Sequence, residues 1–195
     1  SKQITHDIVI PRGKKGRAKE GQFVVVSILT QPGMHHPCTG EVIKILGDHM
    51  SPGMEVELAI RNHGLPDQWP EAVVHAAGKV PKTVPSVAFD GREDLRHLPF
   101  VTIDGEDAKD FDDAVYCTEK DSGGWQLWVA IADVSHYVQP DDDFDVCAQE
   151  RGNSVYFANR VIPMLPEALS NGICSLKPNV DRMALVCSMT ISAQG

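Results

Sequence analysis

The sequence predicts a mixed fold: part of a small β-barrel or sandwich, followed by an α+β domain. Three observations predict it. Short β-branched runs punctuated by glycine, proline and histidine fill the first third of the 195 residues. Strand-like and helix-like segments intermingle in the second half. Between these regions, residues 79–98 carry Pro81, Pro85 and Gly91 among mixed charges, the composition of an extended connection. The expected organisation is residues 1–66 as a partial barrel, 67–98 as a helix and linker, and 99–195 as the second domain.

Each element has its own pattern. Residues 4–10 alternate loosely, and Gln22 to Leu29 is a β-branched run. Glu41 to Leu46 alternates, as does Met54 to Ile60, so both read as strands. These are four strand-like runs, and a five-stranded barrel needs one more, upstream of Ser1. A helix is expected after Pro66, with Asp67 as its cap, continuing through Ala77 to Gly78. Phe100 to Ile103 reads as a short strand ending at Asp104, and Ala114 to Cys117 as the next. Trp125 to Val134 is apolar on both faces, the mark of a central strand. Pro140 to Asp143 opens a helix whose acidic first turn suits the helix dipole, and Gly152 ends it after Arg151. Val155 to Phe157 is extended, Glu167 to Leu169 is one helical turn, and Met183 to Ile191 is a last strand. The sequence has no internal repeat.

Composition excludes several classes. No run approaches the roughly 20 apolar residues that span a bilayer, and the first residues lack the charged-then-apolar pattern of a secretory signal. Cys38, Cys117, Cys147, Cys174 and Cys187 are odd in number with no Cys-x-x-Cys pair, which argues against a cysteine zinc site and for buried, reduced thiols in a cytoplasmic protein. The net charge of −9 is unevenly spread: residues 1–70 hold eight basic against seven acidic side chains, and the rest carries −10. Overall acidity argues against nonspecific nucleic-acid binding unless the acids serve a cation. Lys14, Lys15 and Arg17, between Gly13 and Gly21, read either as a solvated loop or as a phosphate-contacting patch beside a strand.

The chemistry is concentrated between Asp104 and Asp113, where six acids and one lysine occupy ten residues flanked by apolar runs. Such crowding is repulsive unless a cation compensates. Carboxylate oxygens suit hard cations such as Mg²⁺, and two such ions about 4 Å apart can activate water against a phosphodiester. Asp110 and Asp112 share a face if the segment is extended, whereas Asp113 points away unless the backbone bends. The plain alternative is an acidic surface loop. A helix-loop-helix calcium site fails because Gly105 directly follows Asp104.

Longer stretches carry a resemblance. Thr102 to Val115 (TIDGEDAKDFDDAV), Trp128 to Val134 (WVAIADV), Arg151 to Tyr156 (RGNSVY) and Val161 to Leu176 (VIPMLPEALSNGICSL) occur in the order found in the ribonuclease II/R exoribonuclease family, which the chain resembles over nearly its whole length. Gly47-Asp48, Pro52-Gly53-Met54 and Ala59 to His63 are similar to that family's second cold-shock-type, OB-like barrel. Asn153 stands where the family more often has threonine.

The resemblance implies a partial OB-like barrel followed by the N-terminal part of a ribonuclease II-type catalytic domain. It implies processive, Mg²⁺-dependent hydrolysis of RNA from the 3′ end to nucleoside 5′-monophosphates, with Mn²⁺ able to substitute. Asp104, Asp110, Asp112 and Asp113 are then the metal carboxylates, with Asp112 closest to the chemistry. Tyr156 packs on the RNA 3′ end and helps set final product length; read without the motif, a tyrosine in a strand is a packing residue. The implied partner is single-stranded RNA, or structured RNA with a 3′ overhang, in the cytoplasm. The family's catalytic domain continues past the last residue here to an arginine-bearing motif and another RNA-binding barrel, so the chain is expected to be a piece that is weakly active or inactive alone. Two other classes remain at this stage: a noncatalytic RNA-binding module with a structural acidic loop, and a cation-binding structural domain. Trp69, Trp125 and Trp128 are expected in the core or at a domain interface, and Asp133 near the site.

Overall fold

The computed structural model describes residues 6–49 and 51–195, and the chain divides into two compact units, Ser1–Asp67 and Gln68–Gly195. Among the described residues, no helix is long and apolar enough to cross a membrane.

The first unit is built on a three-stranded sheet of β1 (Ile8–Val9), β2 (Gln22–Thr30) and β3 (Cys38–Asp48), with β3 in the centre. β1 runs parallel to β3 and β2 antiparallel to it, with register shifts along the β2–β3 pair. Such irregularities bend and twist a ribbon, as a small barrel requires. A Cβ at Gly40 would collide with the side chains of Val26 and Ile8, so only glycine lets the three strands approach this closely. The sheet is open, and no closed barrel forms among the described residues. The start of the run expected at 4–10 lies outside those residues.

One element differs in kind from the sequence expectation. Residues 54–60, which alternate like a strand, form helix α1 (Met54–His63). The alternation is real, but end effects outweigh it. Glu55 and Glu57 occupy the first turn, Arg61 and His63 the last, and Gly64 closes the helix at φ 62° with its N–H directed to the carbonyls of Ile60 and Arg61. Arg61 also bridges Glu57 one turn back at 3.2 Å and Asp67 at 3.9 Å. Asp67 is therefore engaged with α1 instead of capping the next helix. That helix, α2 (Glu71–Ala77), starts after Pro70.

The second unit has a three-stranded antiparallel sheet of β4 (Asp113–Glu119), β5 (Trp125–Ala132) and β8 (Ala184–Ile191), with β5 central. Helix α3 (Asp143–Arg151) packs against α2. Its start is capped reciprocally: the Asp142 carboxylate accepts from the Asp145 N–H at 2.8 Å, and the Asp145 carboxylate accepts from the Asp141 N–H at 2.9 Å. A hairpin of β6 (Val155–Phe157) and β7 (Arg160–Ile162) follows, then a π-helical turn over Ala168–Ile173 that extends beyond the single turn expected.

The core joins α2, α3, the end of β5 and the π-helical turn through Val73, Ala132, Phe144, Cys147, Leu165, Leu169, Ile173 and Cys174. The helix expected up to Gly78 thus contributes Val73 to the second unit's core, with Trp69, Ala76 and Ala77 packed against it. Arg151 lies over the Trp69 ring at 3.6 Å and donates to the carbonyls of Gln68 and Pro163.

Three further expectations need correction. Phe100 to Ile103 forms no strand; only Val101 pairs, in an isolated bridge with Val115, and Ile103 is 84% exposed. Cys117 and Cys187 are exposed, not buried; β8 is an edge strand, so its apolar run is not enclosed. Trp125, at the start of β5, is also exposed, whereas Trp128 stacks on Tyr116 with ring centres 5.3 Å apart.

Leu169 is 0% exposed at the centre of this core. Leu169→Ala is expected to lower unfolding free energy by about 2–5 kcal/mol, read from urea denaturation. An unchanged urea midpoint would contradict this packing.

Candidate active site

The acidic segment lies between the isolated bridge at Val101 and the start of β4. Asp104 is exposed on a loop that turns back through the Ala108 N–H to the Gly105 carbonyl at 3.0 Å. From Lys109 onward the main chain is anchored. Ser175 donates its hydroxyl to the Lys109 carbonyl at 2.8 Å and accepts from the Phe111 N–H at 3.0 Å. The Leu176 N–H donates to the Phe111 carbonyl at 2.8 Å, and the Ala132 N–H to the Asp112 carbonyl at 2.9 Å. Asp113 then enters β4 opposite Ile131, with buried Ala114 on the inward face.

Desolvation first, then the negative neighbours Asp110, Asp113 and Asp104, hold the Asp112 carboxyl above its ordinary range. The other three predicted aspartates therefore all act electrostatically on Asp112. Asp113, the first residue of β4, contributes to that influence as the chain neighbour of Asp112.

Tyr156, 67% exposed on the β6–β7 hairpin, directs its hydroxyl to the Asp110 carboxylate at 3.4 Å. Desolvation and the charge on Asp110 raise the affinity of that phenol for its proton. The ring is thus presented beside the carboxylates and is not packed into the core.

The oxygen-rich donor set fits a hard divalent cation chemically. Among the described residues, however, no three acidic, histidine or cysteine side chains stand together as a ready-made cage. The fit is one of donor type and charge. Water, or the oxygens of a bound ligand, would have to complete the coordination shell.

The other predicted residues lie elsewhere. Lys14, Lys15 and Arg17 belong to the first unit, in the exposed loop before β2. Lys14 is bridged to Glu41 at 3.0 Å, while Lys15 and Arg17 are exposed. Asp133 is 2% exposed and directed away from cation chemistry: it pairs with Arg92 at 2.7 Å and accepts from the Ser135 hydroxyl at 2.6 Å. Burial of Asp133 opposes ionisation, but Ser135 and Arg92 outweigh it and keep the carboxyl below its ordinary range. Burial pushes the Cys174 thiol up to about 11, which leaves it a packing group.

Residue reading missed the supports, Ser175 and Arg182. Ser175 is a lone hydroxyl between Cys174 and Leu176, and a polar side chain inside an apolar run is the signal of a satisfied buried group.

Residues 92–195 match the RNB domain and residues 1–70 the Cold shock domain, and the chain belongs to the RNB family. It is 54% identical over 193 residues to ribonuclease R of Vibrio parahaemolyticus, covering 99% of this chain and 23% of that protein. The chain thus spans about a quarter of the length of such relatives. Mycoplasma genitalium RNase R in complex with double-stranded RNA superposes with a TM-score of 0.88 at 28% identity, over 97% of this chain and 34% of that one. The same enzyme in complex with ribose methylated single-stranded RNA gives 0.87 at 28% identity, over 97% of this chain and 30% of that one.

The raised Asp112 carboxyl makes a signed stability prediction. A carboxyl whose folded value exceeds its unfolded value of about 3.9 begins to cost stability as pH rises through the unfolded value, and the cost is complete above the folded one. In metal-free buffer at pH 7, Asp112→Asn should therefore raise the thermal unfolding midpoint. The gain should vanish below about pH 4, where both states are protonated. A lower midpoint at pH 7 would show that the aspartate is stabilising.

Proposed function

We propose that this chain forms the cold-shock-type domain and the acidic part of the catalytic centre of a Mg²⁺-dependent, processive 3′-to-5′ exoribonuclease, with Mn²⁺ able to replace Mg²⁺. The observation that supports the reading is the Tyr156 hydroxyl on Asp110, with the exposed ring beside a segment whose Asp104, Asp110 and Asp113 all bear electrostatically on Asp112. A site this negative repels an RNA phosphate unless cations lie between them, so the same carboxylates that oppose RNA alone would receive it with metal. Bound divalent ions would supply activated water and neutralise charge developing on the phosphate.

The chain's own groups have distinct parts. Asp104, Asp110, Asp112 and Asp113 would hold the cations. Tyr156 would stack on the terminal base, since every base offers a π-face to an aromatic ring. Water attacks phosphorus in the last linkage, the bond to the 3′ oxygen of the preceding nucleotide breaks, and that oxygen takes a proton. The released nucleotide keeps its phosphate on the 5′ oxygen, and the shortened RNA ends in a new 3′ hydroxyl ready for the next cycle. The proposed substrate is single-stranded RNA, or structured RNA entered by a 3′ overhang, in the cytoplasm. The first unit contributes RNA contacts through the exposed Lys15 and Arg17, with Lys14 partly neutralised by Glu41.

In the complete protein, Asp112→Asn should abolish cleavage while RNA binding survives, measured by product release and by fluorescence anisotropy. Cleavage at the normal rate would leave a noncatalytic RNA-binding module as the better reading. Separately, Lys15→Ala/Arg17→Ala should weaken RNA binding and flatten the plot of log affinity against log salt by about 1.4, at roughly 0.7 per single-strand phosphate contact. An unchanged slope would assign those cations to solvent.

A further inference from the structure

An uncharged side chain holds the acidic segment. Ser175 is 0% exposed. The two groups that its hydroxyl bonds, the Lys109 carbonyl at 2.8 Å and the Phe111 N–H at 3.0 Å, flank Asp110 on either side. With the Leu176 N–H on the Phe111 carbonyl, residues 109–111 and 175–176 are joined like two strands in which one rung is a serine hydroxyl. Arg182 stands behind this junction. Its Nε donates to the Ser175 carbonyl at 2.8 Å, and its two terminal nitrogens donate to the carbonyls of Gly172 at 3.2 Å and Asp181 at 2.8 Å.

A buried hydroxyl is costly unless both its donor and its acceptor are used. Here both are used, and both reach the main chain around one aspartate. Packing alone would be served by alanine, or by cysteine as at the adjacent buried Cys174. The direction of Asp110 relative to Asp112 depends on the peptide planes between them. Ser175 and Leu176 fix those planes at Lys109 and Phe111, and the Ala132 N–H fixes the carbonyl of Asp112 itself.

Resting on the reading that these carboxylates gather divalent cations, we infer that Ser175 is a positioning residue for the cation site, supported from behind by Arg182. It touches neither cation nor RNA. It holds the backbone on both sides of Asp110, and with it the direction of the Asp110 side chain relative to Asp112. Groups that orient metal ligands from behind commonly alter metal affinity by 10–100-fold when lost.

The test measures Mn²⁺ affinity by calorimetry and amide exchange at Phe111 by NMR, in the complete protein. Ser175→Ala should weaken Mn²⁺ binding by about 10-fold or more and speed exchange of the Phe111 amide. Arg182→Gln, which leaves Ser175 in place, should shift both in the same direction by less, and it decides the matter alone if Ser175→Ala does not fold. Val73→Ala removes core packing without touching a hydrogen bond to the acidic segment, and should leave Mn²⁺ affinity within about twofold. Unchanged affinity in Ser175→Ala, or an equal loss in Val73→Ala, overturns the inference. Retained Mn²⁺ binding in Asp112→Asn, or none in the wild type, overturns instead the cation reading on which it rests.

Discussion

The rest of the acidic edge depends on the two hydrogen bonds that commit the Phe111 peptide: its N–H to the Ser175 hydroxyl and its carbonyl to the Leu176 N–H. Carboxylates close in sequence supply no cohesion of their own. Like charges about 4 Å apart repel by about 1 kcal/mol in water and about 4 kcal/mol at the effective dielectric of a protein surface. The opposing force has to come from groups that are not charged, and the main chain from Lys109 to Asp112 supplies it. Separating support from chemistry lets the acids stay poised for a ligand that the fold itself does not need.

That anchor is in turn only as firm as what stands behind it. Leu169 and Ile173 are buried on the π-helical turn just before Ser175, and Arg182 ties this stretch to the approach to β8. The central strand β5 contributes from the other side, since its last residue, Ala132, holds the Asp112 carbonyl. The next residue, Asp133, spends its buried charge on Arg92, and so fastens the chain that leads into the acidic segment. A buried carboxylate of this kind is tolerable only because it is paired and hydrogen-bonded. Asp104 stands apart from this frame, on an exposed loop beyond a single bridge. The acidic segment therefore has one side anchored through its main chain and one side, at Asp104, on an exposed loop.

Much of this was legible in the residues. A β-branched run marked β2, alternation marked β3, apolar character on both faces marked β5 as central, and the acidic first turn with a terminal glycine marked α3. Acid density drew attention to the candidate site, and the family resemblance singled out its four aspartates. What misled was pattern without context. Residues 54–60 alternate as a strand does, yet charges suited to the helix dipole and a left-handed Gly64 decide for α1. Phe100 to Ile103 is apolar enough for a strand, but it finds a partner only at Val115. Strand formation needs a neighbour, and a short apolar run does not say whether one will be there.

The sequence by itself determined the chemistry available: a dense run of carboxylates, an aromatic residue downstream, and turn residues that end elements where they must end. Those properties are local, set by residue type and spacing of a few positions. Only the tertiary structure decided which groups meet. Tyr156 reaches Asp110 across 46 positions, and Ser175 reaches Lys109 and Phe111 across 66 and 64. Contacts of that span follow from packing the π-helical turn and the end of β5 around a shared core, and a hydroxyl between two apolar residues carries no sign of which distant peptide it will hold.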